Sequence, residues 1–360
     1  MEKYRDMSLR KRSNIKMLRN LFFFLLLIGF TFWFVLKDQD INELFNTIKS
    51  VDLKYVLISI LLMLMVYLTE SFNIRCILQA LGEKRLSIFK ALKFTWIGFF
   101  FSAITPAATG GQPVEIYYMN KEGISSANAT MAMMLQLCGF QISTLLISII
   151  CVIIYPSVLS DGIIWFFILG LVLNALVLTF MFVGVFSKKI TKKLVDIFIK
   201  LLALVRNRNL DRKKVKFEEG LAQYNKSANF IKAHKAEFFK SIVRVFVQVL
   251  FLHSIPFFVY KAFGMTGYSY IEVLSIQAIL YIMVCSIPLP GSIGVSETLF
   301  LKLFGGVFGE LILSSVMLIN RFVSFYLYIL ISAIVVIVNA VRMKNVTGEI
   351  DKSVKEVEAY

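Results

Sequence analysis

Apolar residues in this chain come in long blocks separated by short polar stretches. Blocks at 18–36, 55–69, 127–155, 162–186, 241–263 and 310–341 predict membrane-spanning helices. Two further blocks, 89–104 and 271–287, stop at breaks rich in Gly and Pro. The first break reads Thr105-Pro-Ala-Ala-Thr-Gly-Gly-Gln-Pro-Val-Glu115, the second Ile287-Pro-Leu-Pro-Gly-Ser-Ile-Gly-Val-Ser-Glu297. Pro106 leads Glu115 by the same spacing as Pro288 leads Glu297. Between them stand Gly110, Gly111 and Pro113 in one case, and Pro290, Gly291 and Gly294 in the other. Such residues expose backbone that lipid cannot satisfy, so the breaks are expected to line a protein-enclosed or watery cavity. Broken segments at corresponding places in two halves of a chain point to a transporter's binding site.

Composition agrees with a multi-pass membrane protein: 58% of 360 residues are hydrophobic, and the mean hydropathy is +0.74. The amino-terminal block is expected to be a signal anchor, because a long basic region precedes it and Lys37-Asp-Gln-Asp40 follows in place of a small-residue cleavage site. Cys76, Cys138, Cys151 and Cys285 lie in or beside apolar blocks without metal-ligand spacing and read as small hydrophobes.

The net charge of +16 is concentrated in residues 1–19 and in the segment 188–240, which has 15 Lys/Arg against 5 acids. In a membrane protein that asymmetry marks the cytoplasmic side and its anionic lipid; nucleic acid is not expected, since no binding motif accompanies the charge. With the amino terminus inside, a full crossing by 89–104 would put 188–240 outside, against the positive-inside rule. The conflict disappears if 89–115 dips into the membrane and returns, and if 271–304 dips from the opposite face. The expected fold is therefore all-α and polytopic: about six full spans plus two re-entrant hairpins in an inverted repeat. A basic terminus (1–19), a transmembrane domain (20–341, including the basic 188–240 loop) and a charged tail (342–360) complete it. In 190–205, apolar residues at helical spacing lie beneath Lys192, Lys193 and Lys200, as in an interfacial amphipathic helix or a helix packed on the inner face.

The two breaks in this order, with Asn320-Arg321 inside the last apolar block, resemble the transmembrane region of lysylphosphatidylglycerol synthases, a family also described as flippase-like integral membrane proteins. The similarity spans about residues 15–342. It implies a membrane part that moves lysylphosphatidylglycerol to the outer leaflet. Full-length members add a soluble domain that makes this lipid from lysyl-tRNA and phosphatidylglycerol. With about 20 residues after its last apolar block, this chain is expected to represent the flippase-like part.

Arg321 lies deep in an apolar block, where insertion costs roughly 2.5–3.5 kcal/mol, so it needs a cavity or a partner. It reads as a fork for a lipid phosphate or as half of a structural ion pair with Glu297 or Glu115. Glu115 and Glu297 are each expected to start a helix and gain from its dipole, or to hold a lysyl ammonium or a coupling proton. Backbone N–H groups around Gly110, Gly111, Gly291 and Gly294 are phosphate-oxygen donors or simple turn formers. Glu70 and Arg75, with Asn73 between them, form either a headgroup-binding cluster or a set of snorkelling side chains at the inner end of a helix. Gln136, Gln141, Arg244, Gln248 and His253 add polarity, with helix–helix hydrogen bonding the default for the glutamines.

No Gly-x-x-x-x-Gly-Lys loop or His/Cys zinc spacing occurs, and no cofactor or metal is expected. The leading expectation is a lipid flippase-like transporter acting on anionic or aminoacylated phospholipids. The alternatives are a phosphatidylglycerol lysyltransferase and a membrane scaffold for a separate synthase.

Overall fold

Helix starts follow side-chain chemistry that is visible locally. In the computed structural model, which describes residues 46–84, 86–105, 108–159, 161–187, 228–284, 294–340 and a few isolated positions between 188 and 227, Asp52 caps α1 (Leu53–Ala80) by accepting the Lys54 N–H at 2.9 Å. Ser87 caps α2 (Ile88–Ala103) in the same way through Lys90 N–H. Then follow α3 (Gly111–Lys121), α4 (Ser126–Ile154), a short 3₁₀ turn (Pro156–Val158), α5 (Asp161–Phe186), α6 (Lys235–Ala262), α7 (Tyr270–Val284), α8 (Val295–Phe308) and α9 (Glu310–Ala340). No strand occurs among the described residues. The protein is an all-helical, polytopic membrane protein. Five of its described helices (α1, α4, α5, α6 and α9) are long and apolar enough to cross a bilayer.

α2 and α3 are too short to cross: at 1.5 Å per residue they measure about 24 and 17 Å against a hydrocarbon core of about 30 Å. They run antiparallel. Lys90 and Lys93 at the start of α2 grip Glu122, just past α3, at 3.0 and 2.6 Å. The pair is therefore a hairpin with both ends on one face, as the charge distribution required. α7 and α8, about 22 and 21 Å long, form a second hairpin. Its base is closed by the Tyr268 hydroxyl donating to the Gly306 carbonyl at 3.2 Å.

The two hairpins enter from opposite faces. α1 and α6 pack antiparallel, with Asp52 N–H bonded to the Ala262 carbonyl at 2.9 Å at one end. Asn73 meets Ser241 toward the other end, at 3.0 Å. The first hairpin hangs from the carboxyl end of α1, the second from the carboxyl end of α6. The same shift in residue number carries the start of α1 to that of α6 (53 to 235), α2 to α7 (88 to 270) and Glu115 to Glu297. A long helix closes each half, so the described residues have the order of an inverted repeat.

Two clusters hold this arrangement. One joins Met63, Val66 and Tyr67 of α1 to Val259 and Tyr260 of α6, Phe300 and Phe304 of α8, and Val316 of α9. The other joins Ile74 and Leu78 to Phe94, Met119, Met131 and Leu135 around the first hairpin. α5 lies at the rim, with Trp165, Phe166 and Phe180 exposed where lipid tails would cover them. The expected 18–36 span, the 190–205 helix, Cys285, the break residues 285–293 with Gly291, and Pro106 of the first break lie outside the described residues.

Two expectations about local structure change. The 55–69 block, with Glu70, Asn73 and Arg75 expected at the inner end of its helix, predicted a shorter element than α1, which continues to Ala80; Ser71, Asn73, Ile74, Ile77 and Leu78 are buried against neighbours, and that packing outweighs the falling hydropathy. Glu115 was expected to open its helix. It is instead the fifth residue of α3, whose start is held by Thr105 Oγ1 accepting the Gly110 N–H at 2.9 Å.

Candidate functional site

Glu297 is the third residue of α8 and reaches back to accept the Gly294 N–H at 2.7 Å, which satisfies a donor at the helix start. Gly294 has φ +89°, a conformation open to glycine at little cost. Glu297 also accepts from Ser296 Oγ at 2.8 Å and from Arg321 Nε at 2.6 Å. Arg321 Nη2 donates to Ser296 Oγ, and the guanidinium lies over the Phe325 ring at 5.3 Å. Glu297 is 2% exposed.

This cluster forms one wall of a cavity of about 330 Å³ bounded by α1, α2, α4, α6, α7, α8 and α9. Glu70, Tyr67 and Gln248 stand on its wall, with Gln277 and Asn320 among its other polar residues. Two local irregularities border it. Pro256, inside α6, lacks the N–H that would continue the ladder. A π turn at Phe322–Tyr326 follows Arg321 directly in α9. The oxygens of Tyr67, Gln277 (Oε1) and Asn320 (Oδ1) are buried without a hydrogen-bond partner among the described residues, leaving polar groups for a bound headgroup or water to meet.

A buried amide chain leads away from the cavity. Gln248 donates to Glu70 at 3.1 Å, Gln136 donates to Gln248 at 2.9 Å, Asn73 donates to Gln136 at 2.6 Å, and Arg244 donates to Asn73 at 3.3 Å. Arginine can only donate and a carboxylate only accept, so its two ends set the direction of the chain. Asn73 is fully buried and Glu70 is hydrogen-bonded on the cavity wall, so the snorkelling reading of this cluster gives way to internal hydrogen bonding across α1, α4 and α6.

The structure brings Glu70, Glu297 and Arg321 to the cavity and does not bring Arg75, Gly110, Gly111, Gly294 or Glu115 to its wall. Arg75 is half-buried, its Nε without a partner among the described residues. Gly110 and Gly111 serve close packing: a Cβ on Gly111 would lie 1.9 Å from Ser102 Oγ, and one on Gly110 2.7 Å from the Thr105 methyl. Glu115 is buried in the first hairpin against Gly98. His253 donates through Nδ1 to the Val249 carbonyl (3.1 Å) and packs edge-on to Tyr281. Ser296 and Gln277 were not singled out from sequence. The available signals were Ser296's place beside Glu297 and the polarity of Gln277 within an apolar block.

At the hairpin base, the ammonium of Lys93, then that of Lys90, holds the Glu122 carboxyl below its ordinary range.

A search against curated proteins returned no match. A family profile described as "Lysylphosphatidylglycerol synthase TM region" matches residues 21–332, most of the chain and all of its described helices up to the last turns of α9. The chain belongs to that family, whose members are membrane proteins related to lysylphosphatidylglycerol handling.

Proposed function

We propose that this protein is a flippase-like transporter that moves a phospholipid, lysylphosphatidylglycerol or a lipid of similar headgroup, between the leaflets of the cell membrane. The observation that carries this reading is the Arg321–Glu297–Ser296 cluster on the wall of a membrane-domain cavity, between two hairpins whose bases lie on opposite faces. A guanidinium offers five donors in a planar fork that suits phosphate oxygens. Glu70 offers an acceptor for a headgroup ammonium. About 330 Å³ suits a headgroup rather than a whole lipid, so the acyl chains stay in the bilayer while the headgroup crosses. Lys90, Lys93, Lys121, Lys235 and Lys240 share the face from which the first hairpin enters, which supports a cytoplasmic assignment for that face and for both termini.

The test is reconstitution in liposomes with a fluorescent aminoacylated phospholipid and an impermeant quencher. Wild-type protein is expected to expose inner-leaflet label, and Glu70→Gln, which leaves the Arg321–Glu297 pair in place, to slow it at least tenfold. Absence of transport by the wild type refutes the reading. Formation of new aminoacyl lipid by the chain alone would establish the transferase instead.

A further inference from the structure

The two hairpins each carry one buried glutamate at the same place in the repeat, in opposite surroundings. Glu297 has three donors, one of them Arg321. Glu115 is 5% exposed, and its Oε2 has no hydrogen-bond partner among the described residues. The charged groups around it offer no compensation. On α2, Lys90 and Lys93 are bound to Glu122 at the hairpin base. α4 has no charged residue along its length. On α3 itself, Lys121 is one position from the base and lies over the Tyr117 ring. α1 presents a second carboxylate, Glu70, whose charge Glu115 feels, and Arg75, which makes no ion pair within 4.0 Å among the described residues.

Of these two carboxylates, Glu70 is the one supplied with a donor: the Gln248–Gln136–Asn73 chain aims its N–H groups at Glu70 and ends on Arg244. An unpaired anion beside it within a membrane domain is not sustainable, so Glu115 needs a neutralising partner. The packing selects its size. Glu115 Oε1 sits so close to α2 that a methyl group on Gly98 would lie 1.7 Å from it, leaving no room on that side for a metal cation and its ligands.

We infer that Glu115 carries an exchangeable proton and is the coupling carboxylate of the first hairpin. It is neutral while α3 packs on Gly98 and gives its proton to water when the hairpin opens. The proton bonds to one carboxyl oxygen and returns to bulk water, so each cycle moves one proton per opening. The link to lipid movement rests on the function proposed above; the protonated state does not.

Two measurements test this on the full chain. In nanodiscs at neutral pH, the infrared carbonyl band of a protonated carboxyl is expected in the wild type and in Glu122→Gln, absent in Glu115→Gln and shifted in Glu115→Asp. A band that survives Glu115→Gln, or that disappears only in Glu70→Gln, overturns the proposal. In liposomes, a pH gradient is expected to speed wild-type lipid movement several-fold and to leave Glu115→Gln unaffected; acceleration by a sodium gradient alone also overturns it. If the band behaves as expected and no lipid moves, the proton site stands and the transport reading falls.

Discussion

Replacing Arg321 by Met leaves Glu297 buried with its charge, and the structure sets the size of the loss. Removing one member of a buried pair costs about 3–5 kcal/mol. Glu297 keeps two neutral donors, the Gly294 N–H at 2.7 Å and Ser296 Oγ at 2.8 Å, so the lower end, about 3 kcal/mol, applies. Glu297→Gln is milder, about 2 kcal/mol. The Arg321 side chain is 15% exposed, borders the cavity and still has the Phe325 face at 5.3 Å. The double variant removes both charges together and is expected to lose about 2 kcal/mol, which leaves a coupling energy of about 3 kcal/mol. The assay is equilibrium unfolding of the four proteins by SDS titration in mixed micelles, followed by ellipticity. Two single losses that simply add, with coupling below about 0.5 kcal/mol, would refute the claim that this pair holds α8 to α9.

Two further outcomes follow from the first hairpin. Gly98→Ala gains about 1 kcal/mol of helix propensity, but its methyl meets three atoms of Glu115, at 1.7, 2.3 and 2.5 Å. Overpacking of about 1–3 kcal/mol is expected to win, so the melting temperature falls and the Gly98→Ala/Glu115→Ala double variant recovers it; an unchanged single variant contradicts the close approach of α2 and α3. Because its folded value is depressed, Glu122 adds stability at pH above the ordinary carboxylate value of 4.5, and that stability is lost as pH falls through the lower, folded value. The pair is partly exposed, so the contribution is about 0.2–1 kcal/mol. Melting curves of wild type and Glu122→Gln are expected to differ at pH 6 and converge in acid; a gap that widens in acid has the wrong sign.

The membrane class, the paired breaks and the turning-back of 89–115 were legible because each rests on properties that act locally or sum along the chain. Hydropathy over a block decides whether lipid accepts it. Gly and Pro decide where a helix stops. Counting Lys and Arg between blocks decides on which side a segment ends, and the Lys90 and Lys93 contacts with Glu122 put both ends of the first hairpin on one face. The end of α1 was misplaced for the converse reason: Asn73 is polar by composition but buried by contacts with Gln136 and Ser241, far away in the chain.

The site divides along the same line. By itself the sequence determined that Arg321, Glu115, Glu297 and Glu70 belong to a multi-pass helical domain and therefore need partners, because the cost of an ion in an apolar block depends on the block and not on the fold. Only tertiary structure decided who the partners are. It gave Arg321 to Glu297 across 24 positions, tied Glu70 through three amides to Arg244, and left Glu115, the counterpart of Glu297 by number, against a glycine with no cation beside it among the described residues. Two glutamates alike in sequence differ in charge environment because hydrogen bonds and Coulomb forces act over a few ångströms of space, and that distance is set by how helices pack rather than by their spacing along the chain.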